Sequence, residues 1–187
     1  MVGDSQSHPN PQSAVSNQQS RKRVTIYTDG ACIGNPGPGG YGALLLHDGH
    51  RQELSGGFRR TTNNRMELMA AIVALEALQE PCDVTLYSDS QYVVKGMTLG
   101  WAKRWEAQGW RRSAQEMASN PDLWARLLRL CEKHRVQFQW VRGHAGNVEN
   151  ERVDRLAMQA ALRPDLPADQ GYGRSGVLGT RRLNPES

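Results

Sequence analysis

Three strand-like segments open the sequence, and each is joined to the next by a short turn. Residues 23–28, 41–47 and 51–58 show the residue pattern of β-strands. A Gly/Pro-rich turn at residues 33–40 separates the first two strands, and Asp48-Gly49 separates the second from the third. Because such short connections join neighbouring antiparallel strands, the sequence predicts a three-stranded meander.

Helices and strands alternate after this meander. The first helix is predicted from apolar residues at helical spacing, with Thr62 or Asn63 as its cap: Leu68, Ala71, Ile72, Leu75 and Leu78. Further strands are predicted at residues 84–87 and 136–141, and helical segments at residues 91–95, 101–107 and 123–131. A last helix carries Val153, Leu156, Ala157 and Ala160 on one face. Strands separated by helices pair in parallel, so the sequence predicts an α/β protein with a mixed sheet covered by helices.

Composition divides the chain into one domain and two tails. Its 187 residues suit a single domain. Residues 1–22 consist largely of Ser, Gln, Asn and Pro, which predicts a disordered N-terminal tail. Residues 163–187 contain scattered Pro and Gly, which predicts a loose C-terminal tail and leaves residues 23–162 as the domain.

Several features indicate a cytoplasmic protein. Hydrophobic residues make up 38% of the chain, and no apolar run approaches the roughly 18 residues that a membrane-spanning helix needs. The first 22 residues have the pattern of neither a secretory signal nor a transit peptide. Cys32, Cys82 and Cys131 lack metal-ligand or redox spacing, so we expect reduced thiols.

Positive charge is concentrated in one segment. Residues 95–112 contain five basic residues against Glu106 alone, an excess of four that equals the formal charge of the whole chain, +4. Three tryptophans interleave with these basic residues. A polyanionic partner such as a nucleic acid fits this distribution.

Four acidic residues stand out as candidates for a metal site. Asp29 and Asp89 each follow a predicted strand, where an Asp also commonly forms a turn or caps a helix. Glu67 and Asp154 lie on the apolar faces of two helices, where an acid needs a partner or an ion. Each alone is explained by a structural role, but four carboxylates together suit hard divalent cations, Mg²⁺ or Mn²⁺.

Five sequence blocks in order resemble those of bacterial-type ribonuclease HI. They are Tyr27-Thr28-Asp29-Gly30, residues 34–42 (GNPGPGGYG), residues 62–68 (TNNRMEL), Ser88-Asp89-Ser90-Gln91-Tyr92 and Gly143-His144-Ala145-Gly146. The resemblance extends from about residue 23 to residue 162. It implies a ribonuclease H-like fold, a five-stranded mixed sheet of three antiparallel strands followed by parallel strands, flanked by helices. It also implies an endonuclease that hydrolyses the RNA strand of RNA/DNA hybrids.

The resemblance implies a two-metal mechanism that leaves 5′-phosphate and 3′-hydroxyl ends. Asp29, Glu67, Asp89 and Asp154 would bind two Mg²⁺ ions, for which Mn²⁺ can substitute. His144, in a Gly-flanked loop, would transfer a proton or assist product release. Asn147-Val148 stands where relatives commonly have His-Pro, so we expect a looser loop.

Contacts to the hybrid are implied by the same resemblance. Gly30 and Cys32 would approach the RNA backbone, and the minor groove would be read by Asn35, Asn63, Asn64 and Gln91. Arg60, Thr62 and Asn120 resemble a pocket for a phosphate of the DNA strand. A basic protrusion that grips this strand would contain Trp101, Lys103, Arg104 and Trp105. Gly100, Glu106 and Ala107 depart from the family pattern, so we expect the protrusion to bind the DNA strand more weakly than in relatives.

Two other functions remain open from the sequence. One is a DNA-directed nuclease of the same fold, such as a resolvase or an integrase-like enzyme; the Asn63, Asn64 and Gln91 cluster argues against it. The other is a catalytically silent module that binds hybrids, which predicts the loss of an acid, whereas all four are retained. We expect a monomer whose partner is the RNA/DNA hybrid.

Overall fold

The computed structural model describes residues 21–143 and 145–173. These residues form five strands and five helices. Their bounds are β1 Lys22–Cys32, β2 Gly37–His47, β3 His50–Thr61, α1 Asn63–Glu76, β4 Cys82–Ser88, α2 Gln91–Thr98, α3 Trp101–Ala107, α4 Pro121–Lys133, β5 Arg135–Trp140 and α5 Val148–Ala161. β2 begins inside the segment predicted as a turn, because residues 39–42 pair with β1 across the hairpin.

The five strands form one mixed sheet in the order β3-β2-β1-β4-β5. β2 pairs antiparallel with β1 and β3, whereas β4 pairs parallel with β1 and β5. Asp48 and Gly49 both adopt positive φ, 46° and 76°, as a two-residue hairpin turn between β2 and β3 requires. The predicted fold class, a five-stranded mixed sheet with helices, is therefore confirmed.

Helices pack on both faces of the sheet, and two glycines permit their close approach. A Cβ atom at Gly30 in β1 would overlap the backbone of Glu67 in α1. A Cβ atom at Gly42 in β2 would overlap the backbone of Val153 in α5. Only glycine allows such contact, which brings the helices that carry Glu67 and Asp154 directly against the sheet.

Burial of α1 extends beyond the predicted apolar stripe. Besides Leu68, Ile72 and Leu75, the helix buries Met66 and Ala70, with no exposed surface. A helix that is apolar on most sides is enclosed rather than half exposed, and α1 packs against both the sheet and α4. Thr62 caps it by accepting a hydrogen bond from the backbone of Arg65. α1 is therefore a rigid support for its acidic residue.

Part of the predicted C-terminal tail packs onto the domain. The backbone N–H of Arg59 in β3 donates to the carbonyl of Pro167 at 2.9 Å, and the side chain of Asp169 is only 3% exposed. A loose tail is predicted from residue 163, whereas the structure shows contacts with the domain at Pro167 and Asp169. The ion pair of Asp169 with Arg65 favours this packing. Residues 174–187 and 1–20 lie outside the described residues, and β1 already includes Lys22.

Among residues 21–143 and 145–173, every helix is too short or too polar to cross a membrane.

Candidate active site

Three acidic side chains converge where β1 and β4 end. Asp29 lies in β1, Asp89 directly follows β4, and Glu67 is the fifth residue of α1. One carboxylate oxygen from each residue lies within 4.8 Å of the others. Parallel pairing of β1 with β4 brings the two aspartates to the same edge of the sheet, which is where open α/β sheets usually bind ligands.

Burial and repulsion by neighbouring charges make Asp29 and Glu67 resist ionisation. Burial, followed by the charges of Asp89 and Asp154, raises the pKa of Asp29 to about 8. Burial and the charges of Asp29 and Asp89 raise the pKa of Glu67 well above its ordinary value. Hydrogen bonds only partly oppose this: Gly30 N–H donates to Asp29 Oδ1 at 2.8 Å, and Asn63 Nδ2 donates to Glu67 Oε1 at 3.4 Å.

The donor atoms fit a divalent cation. Glu67 Oε2 is buried and has no hydrogen-bond partner among the described residues, an arrangement that is costly unless an ion binds there. Carboxylate oxygens are the ligands that Mg²⁺ and Mn²⁺ prefer. Asp154 in α5 is half-buried and interacts with Asp29 from the other side. All four predicted acids thus lie close to this site, three of them in one tight group.

The predicted minor-groove residues line the rim beside the acids. Asn35 Oδ1 accepts a hydrogen bond from the backbone N–H of Asn63 at 3.1 Å, which joins the turn before β2 to the start of α1. Asn64 is exposed at the same helix end. Gln91 begins α2 two residues after Asp89, and its Oε1 accepts a hydrogen bond from Lys95 at 2.8 Å.

Cys32 lies at the end of β1, where its half-buried thiol contacts two backbone carbonyls. Its Sγ lies 3.4 Å from the oxygen of Thr61 and 3.6 Å from that of Gly37. The thiol therefore ties β1 to the start of β2 and the end of β3. Gly30, two residues before Cys32, contacts the backbone of α1 at Glu67.

The predicted phosphate pocket combines the end of β3 with the starts of α1 and α4. Arg60 is exposed at the end of β3, and Thr62 caps α1. Asn120 has a left-handed backbone, with φ 60°, and its side chain does not cap α4. Instead, Asn120 Oδ1 accepts from Arg65 Nη1 at 3.5 Å, and its Nδ2 donates to the hydroxyl of Tyr92 at 3.3 Å.

Helix α3 carries the four residues predicted to form a basic protrusion and presents their side chains to different sides. The ring of Trp105 packs edge-on against Trp124 of the core, with centroids 6.0 Å apart. Trp101, Trp105 and Arg104 line a groove of about 490 Å³. Lys103 instead lines a separate groove beside Cys131. The protrusion therefore has one aromatic and basic side that faces a groove.

His144 lies outside the described residues, so its predicted role remains a prediction. The loop that contains it begins next to the acids, since a Cβ atom at Gly143 would lie 2.6 Å from Asp89 Oδ2. Beyond it, Asn147 caps α5 by accepting hydrogen bonds from the backbone of Glu149 and Asn150 at 3.1 and 3.0 Å. The departure at Asn147 therefore supplies a good N-cap.

Sequence reasoning missed the residues that hold the phosphate pocket together. Arg65 forms ion pairs with Asp122 and Asp169, and Tyr92 bonds to both Asn120 and Trp124. The sequence of residues 169–171, an Asp followed two residues later by Gly, is typical of a turn. This signal indicates a turn but not its docking partner, which lies about a hundred residues earlier in the chain.

Comparison with known proteins agrees with this geometry. A sequence model of the RNase H family matches residues 21–162. A curated ribonuclease H of Syntrophus aciditrophicus (strain SB) is 60% identical over 172 residues, which cover 92% of this chain and 99% of that protein. A ribonuclease HI of Synechocystis sp. (strain ATCC 27184 / PCC 6803 / Kazusa) is 61% identical over 152 residues, 81% of this chain and 95% of that protein.

Solved structures show the same fold. LC9-RNase H1, described as a type 1 RNase H with the type 2 active-site motif, has a TM-score of 0.67 and 34% identity, covering 75% of this chain and 72% of that one. LC11-RNase H1, crystallised in complex with an RNA/DNA hybrid, has a TM-score of 0.57 and 27% identity, covering 74% of this chain and 96% of that one. The sequence match, the shared fold and the cluster of acids together show that the chain belongs to the ribonuclease H family.

Proposed function

We propose that the protein is an endonuclease that hydrolyses the RNA strand of RNA/DNA hybrids and leaves 5′-phosphate and 3′-hydroxyl ends. The observation that carries this proposal is the convergence of the Asp29, Glu67 and Asp89 carboxylates at one end of the sheet. The substrate class is supported by LC11-RNase H1, a relative of the same fold that was crystallised with such a hybrid. The proposed place of action is the cytoplasm, where thiols such as its three free cysteines stay reduced.

Asp29, Glu67, Asp89 and Asp154 are the proposed ligands of two Mg²⁺ ions, with Mn²⁺ as an alternative. When bound, the two cations activate the attacking water and stabilise the leaving oxygen. The acids themselves must release their protons to bind cations, and mutual repulsion makes this unfavourable until a cation is present. Asn63 orients Glu67 through its hydrogen bond to Oε1. His144 is the proposed group for proton transfer or product release.

The remaining predicted residues are proposed to bind the duplex, except Lys103, which lines the separate groove beside Cys131. Short polar side chains beside the acids suit the minor groove, where 2′-hydroxyl groups distinguish RNA from DNA. The groove formed by Trp101, Trp105 and Arg104 suits the sugar and phosphate of the DNA strand. Arg60, Thr62 and Asn120 form the proposed phosphate pocket. A monomer suffices, since one chain supplies all these groups.

One assay tests the substrate and the metal together. Purified protein is incubated with labelled hybrid, duplex RNA, duplex DNA and single strands, in Mg²⁺, Mn²⁺, Ca²⁺ or excess chelator. We expect RNA-strand cleavage of the hybrid alone, with Mg²⁺ or Mn²⁺, and little turnover with Ca²⁺ because of its looser coordination. Asp29→Asn should abolish cleavage, whereas Asp165→Asn, an exposed control that removes the same charge, should not.

Each competing function predicts a different result. Preferential cleavage of duplex DNA would indicate a DNA-directed nuclease of the same fold, and hybrid binding without cleavage would indicate a silent module. Robust cleavage in chelator would refute the metal-dependent mechanism. A hybrid-specific enzyme that reads several sugars should also need consecutive ribonucleotides, so efficient cutting at a single ribonucleotide in duplex DNA would contradict the proposal.

A further inference from the structure

The C-terminal segment at residues 164–173 lies against the end of β3 and the start of α1. Its Pro167 carbonyl accepts the backbone N–H of Arg59 at 2.9 Å. The Asp169 carboxylate accepts the hydroxyl of Thr61 at 2.7 Å, and its side chain is 3% exposed. The same carboxylate accepts the backbone N–H groups of Gly171 and Tyr172 at 3.2 and 3.3 Å. This acid is therefore the anchor of the segment.

Asp169 binds a buried arginine together with a second acid. Arg65 Nε and Nη2 donate to Asp169 at 2.7 and 2.9 Å, and Nη1 and Nη2 donate to Asp122 at 2.9 and 2.8 Å. The Arg65 side chain is 2% exposed, so it needs such partners. Although burial raises the pKa of Asp169, the hydrogen bonds from Arg65 and Thr61 hold it below its ordinary value.

Arg65 also contacts two members of the proposed phosphate pocket. Its backbone N–H donates to Thr62 Oγ1 at 3.4 Å, and its Nη1 reaches Asn120 Oδ1 at 3.5 Å. Asn120 has a left-handed backbone and no side-chain bond to its own helix. Arg65 and Tyr92 therefore determine where the Asn120 amide points.

We propose that Asp169 is a positioning residue for substrate binding. It acts on Asn120 through the Arg65 guanidinium and on Thr62 through its hydrogen bond to the adjacent Thr61, so that both residues keep the arrangement that receives one phosphate of the DNA strand. This inference rests on the proposed function and adds Asp169 to the residues that support hybrid binding. Without Asp169, the one acidic partner that the guanidinium retains among the described residues is Asp122, whose side chain is 40% exposed. The guanidinium is then free to move with that side chain, and the pocket loses its fixed geometry.

Gly171 provides a second test that changes no charge. A Cβ atom at this position would overlap both the Asp122 carboxylate and the Arg65 guanidinium. Gly171→Ala should therefore displace the segment or these two side chains without removing any charged group. Asp169→Asn instead removes a negative charge near the phosphate, which by itself would strengthen phosphate binding. If both variants bind the hybrid more weakly, the cause is therefore the changed geometry of the pocket and not a change in charge.

The matched control is Glu76→Gln. Glu76 accepts two hydrogen bonds from Arg126, at 2.6 and 2.5 Å. It joins α1 to α4, as the Arg65 network does, but at the far end of α1 and in the middle of α4. Loss of this pair removes an acid and a link between the two helices without touching the phosphate pocket.

The experiment measures kcat and KM on hybrids that carry one uncharged methylphosphonate linkage, moved along the DNA strand. All proteins are assayed at a temperature at which thermal melts show them folded. For the parent and Glu76→Gln, we expect one linkage to raise KM by about tenfold. For Asp169→Asn and Gly171→Ala, we expect KM on the unmodified hybrid to rise about fivefold with kcat unchanged. In these two variants, a methylphosphonate at the linkage that is sensitive in the parent should raise KM further by less than about twofold.

Three outcomes would overturn the inference and leave the proposed function intact. They are an unchanged KM in both variants, a lower kcat at constant KM, and a full methylphosphonate penalty in both variants. A parent protein that does not cleave hybrids would instead refute the proposed function. The two failures are thus distinguishable, because only the parent tests the function.

Discussion

At the residue scale, the active site stores repulsion between like charges. Burial raises the pKa of both Asp29 and Glu67, and the charge of Asp89 raises both further. In the metal-free protein at neutral pH, Asp29 holds a proton that the unfolded chain has released. Between an ordinary pKa near 4 and the folded value of about 8, rising pH therefore lowers the stability of the metal-free protein.

Replacement of Asp29 by a neutral residue should remove the cost of binding this proton on folding. We predict that Asp29→Asn, although nearly inactive, unfolds in chelator at pH 7 with a free energy about 1 kcal/mol above that of the parent, roughly 3 °C in Tm. The gain should narrow as Mg²⁺ is added, because the parent site binds the cation better. Thermal melts followed by circular dichroism would measure it.

Two further variants complete this test. Asp154→Asn should also stabilise the metal-free protein, because Asp154 contributes to the raised pKa of Asp29. Asp165→Asn removes an exposed charge away from the acids and should leave Tm unchanged. If both active-site variants melt below the parent in chelator, the four acids do not form a repulsive metal site.

His144 provides a second prediction at this scale. Replacing it by Ala should lower kcat by roughly 10²-fold, within the usual range for a proton-transfer group. Mg²⁺ binding, measured calorimetrically, should stay as in the parent, because the histidine is not among the proposed ligands. Full activity after this change would show that His144 takes no part in the reaction.

At the element scale, the orientation of α3 divides the basic protrusion into two sides. Trp105 attaches the helix to the core through Trp124, and Trp101 tilts against Trp105 at 6.3 Å. Arg104 shares their groove, whereas Lys103 points toward Cys131. The two neighbouring basic residues are therefore unequal, although the sequence pattern treats them alike.

This difference predicts unequal effects of mutation. Arg104→Ala should raise KM for the hybrid by about fivefold and reduce the slope of log KM against log salt concentration by about one, since a phosphate contact releases a counterion. Lys103→Ala should change KM by less than about twofold and keep the slope. Steady-state kinetics over a range of salt concentrations would compare them. An Arg104→Ala enzyme that keeps the KM and the salt slope of the parent would show that the groove does not bind the DNA strand.

At the scale of the whole molecule, long-range contacts set how stability depends on pH. His134 caps the end of α4 and is 1% exposed, and its Nδ1 accepts the backbone N–H of Cys82 at the start of β4. Burial, then the charges of Lys133 and Arg21, lower the pKa of His134. A protonated ring cannot accept the Cys82 hydrogen bond, so the neutral ring is the one that stabilises the fold.

His134 should therefore make the protein less stable in mild acid. Because its folded pKa is lowered, this contribution is present above the unfolded pKa near 6.5 and is lost as pH falls below it. His134→Asn keeps an acceptor near the position of Nδ1 but cannot be protonated. We predict that lowering the pH from 7.5 to 5 decreases the Tm of the parent more than the Tm of the variant, as measured by thermal melts.

An exposed histidine serves as the control for this prediction. His50→Gln, at the start of β3, should show no such trend with pH. A parent and a His134 variant whose Tm values change in parallel with pH would contradict the assigned role of the buried ring.

The sequence by itself determined the elements and the identity of the acids. Alternation and helical spacing are local properties, so they located the strands and helices, and they identified Thr62 as one of two candidate caps. Spacing also indicated that Glu67 lies on the buried face of α1, as the structure shows. The five motif blocks pointed to the family, because their combination in this order is highly specific.

The tertiary structure alone decided which distant groups meet. Arg65 and Asp169 are far apart in the chain, and their pairing depends on where residues 164–173 dock, which no local pattern encodes. The same holds for the different grooves that Lys103 and Arg104 line, because a seven-residue helix can attach to the core in several rotations. Periodicity reports how a segment folds, whereas the pairing of side chains depends on the packing of the whole chain.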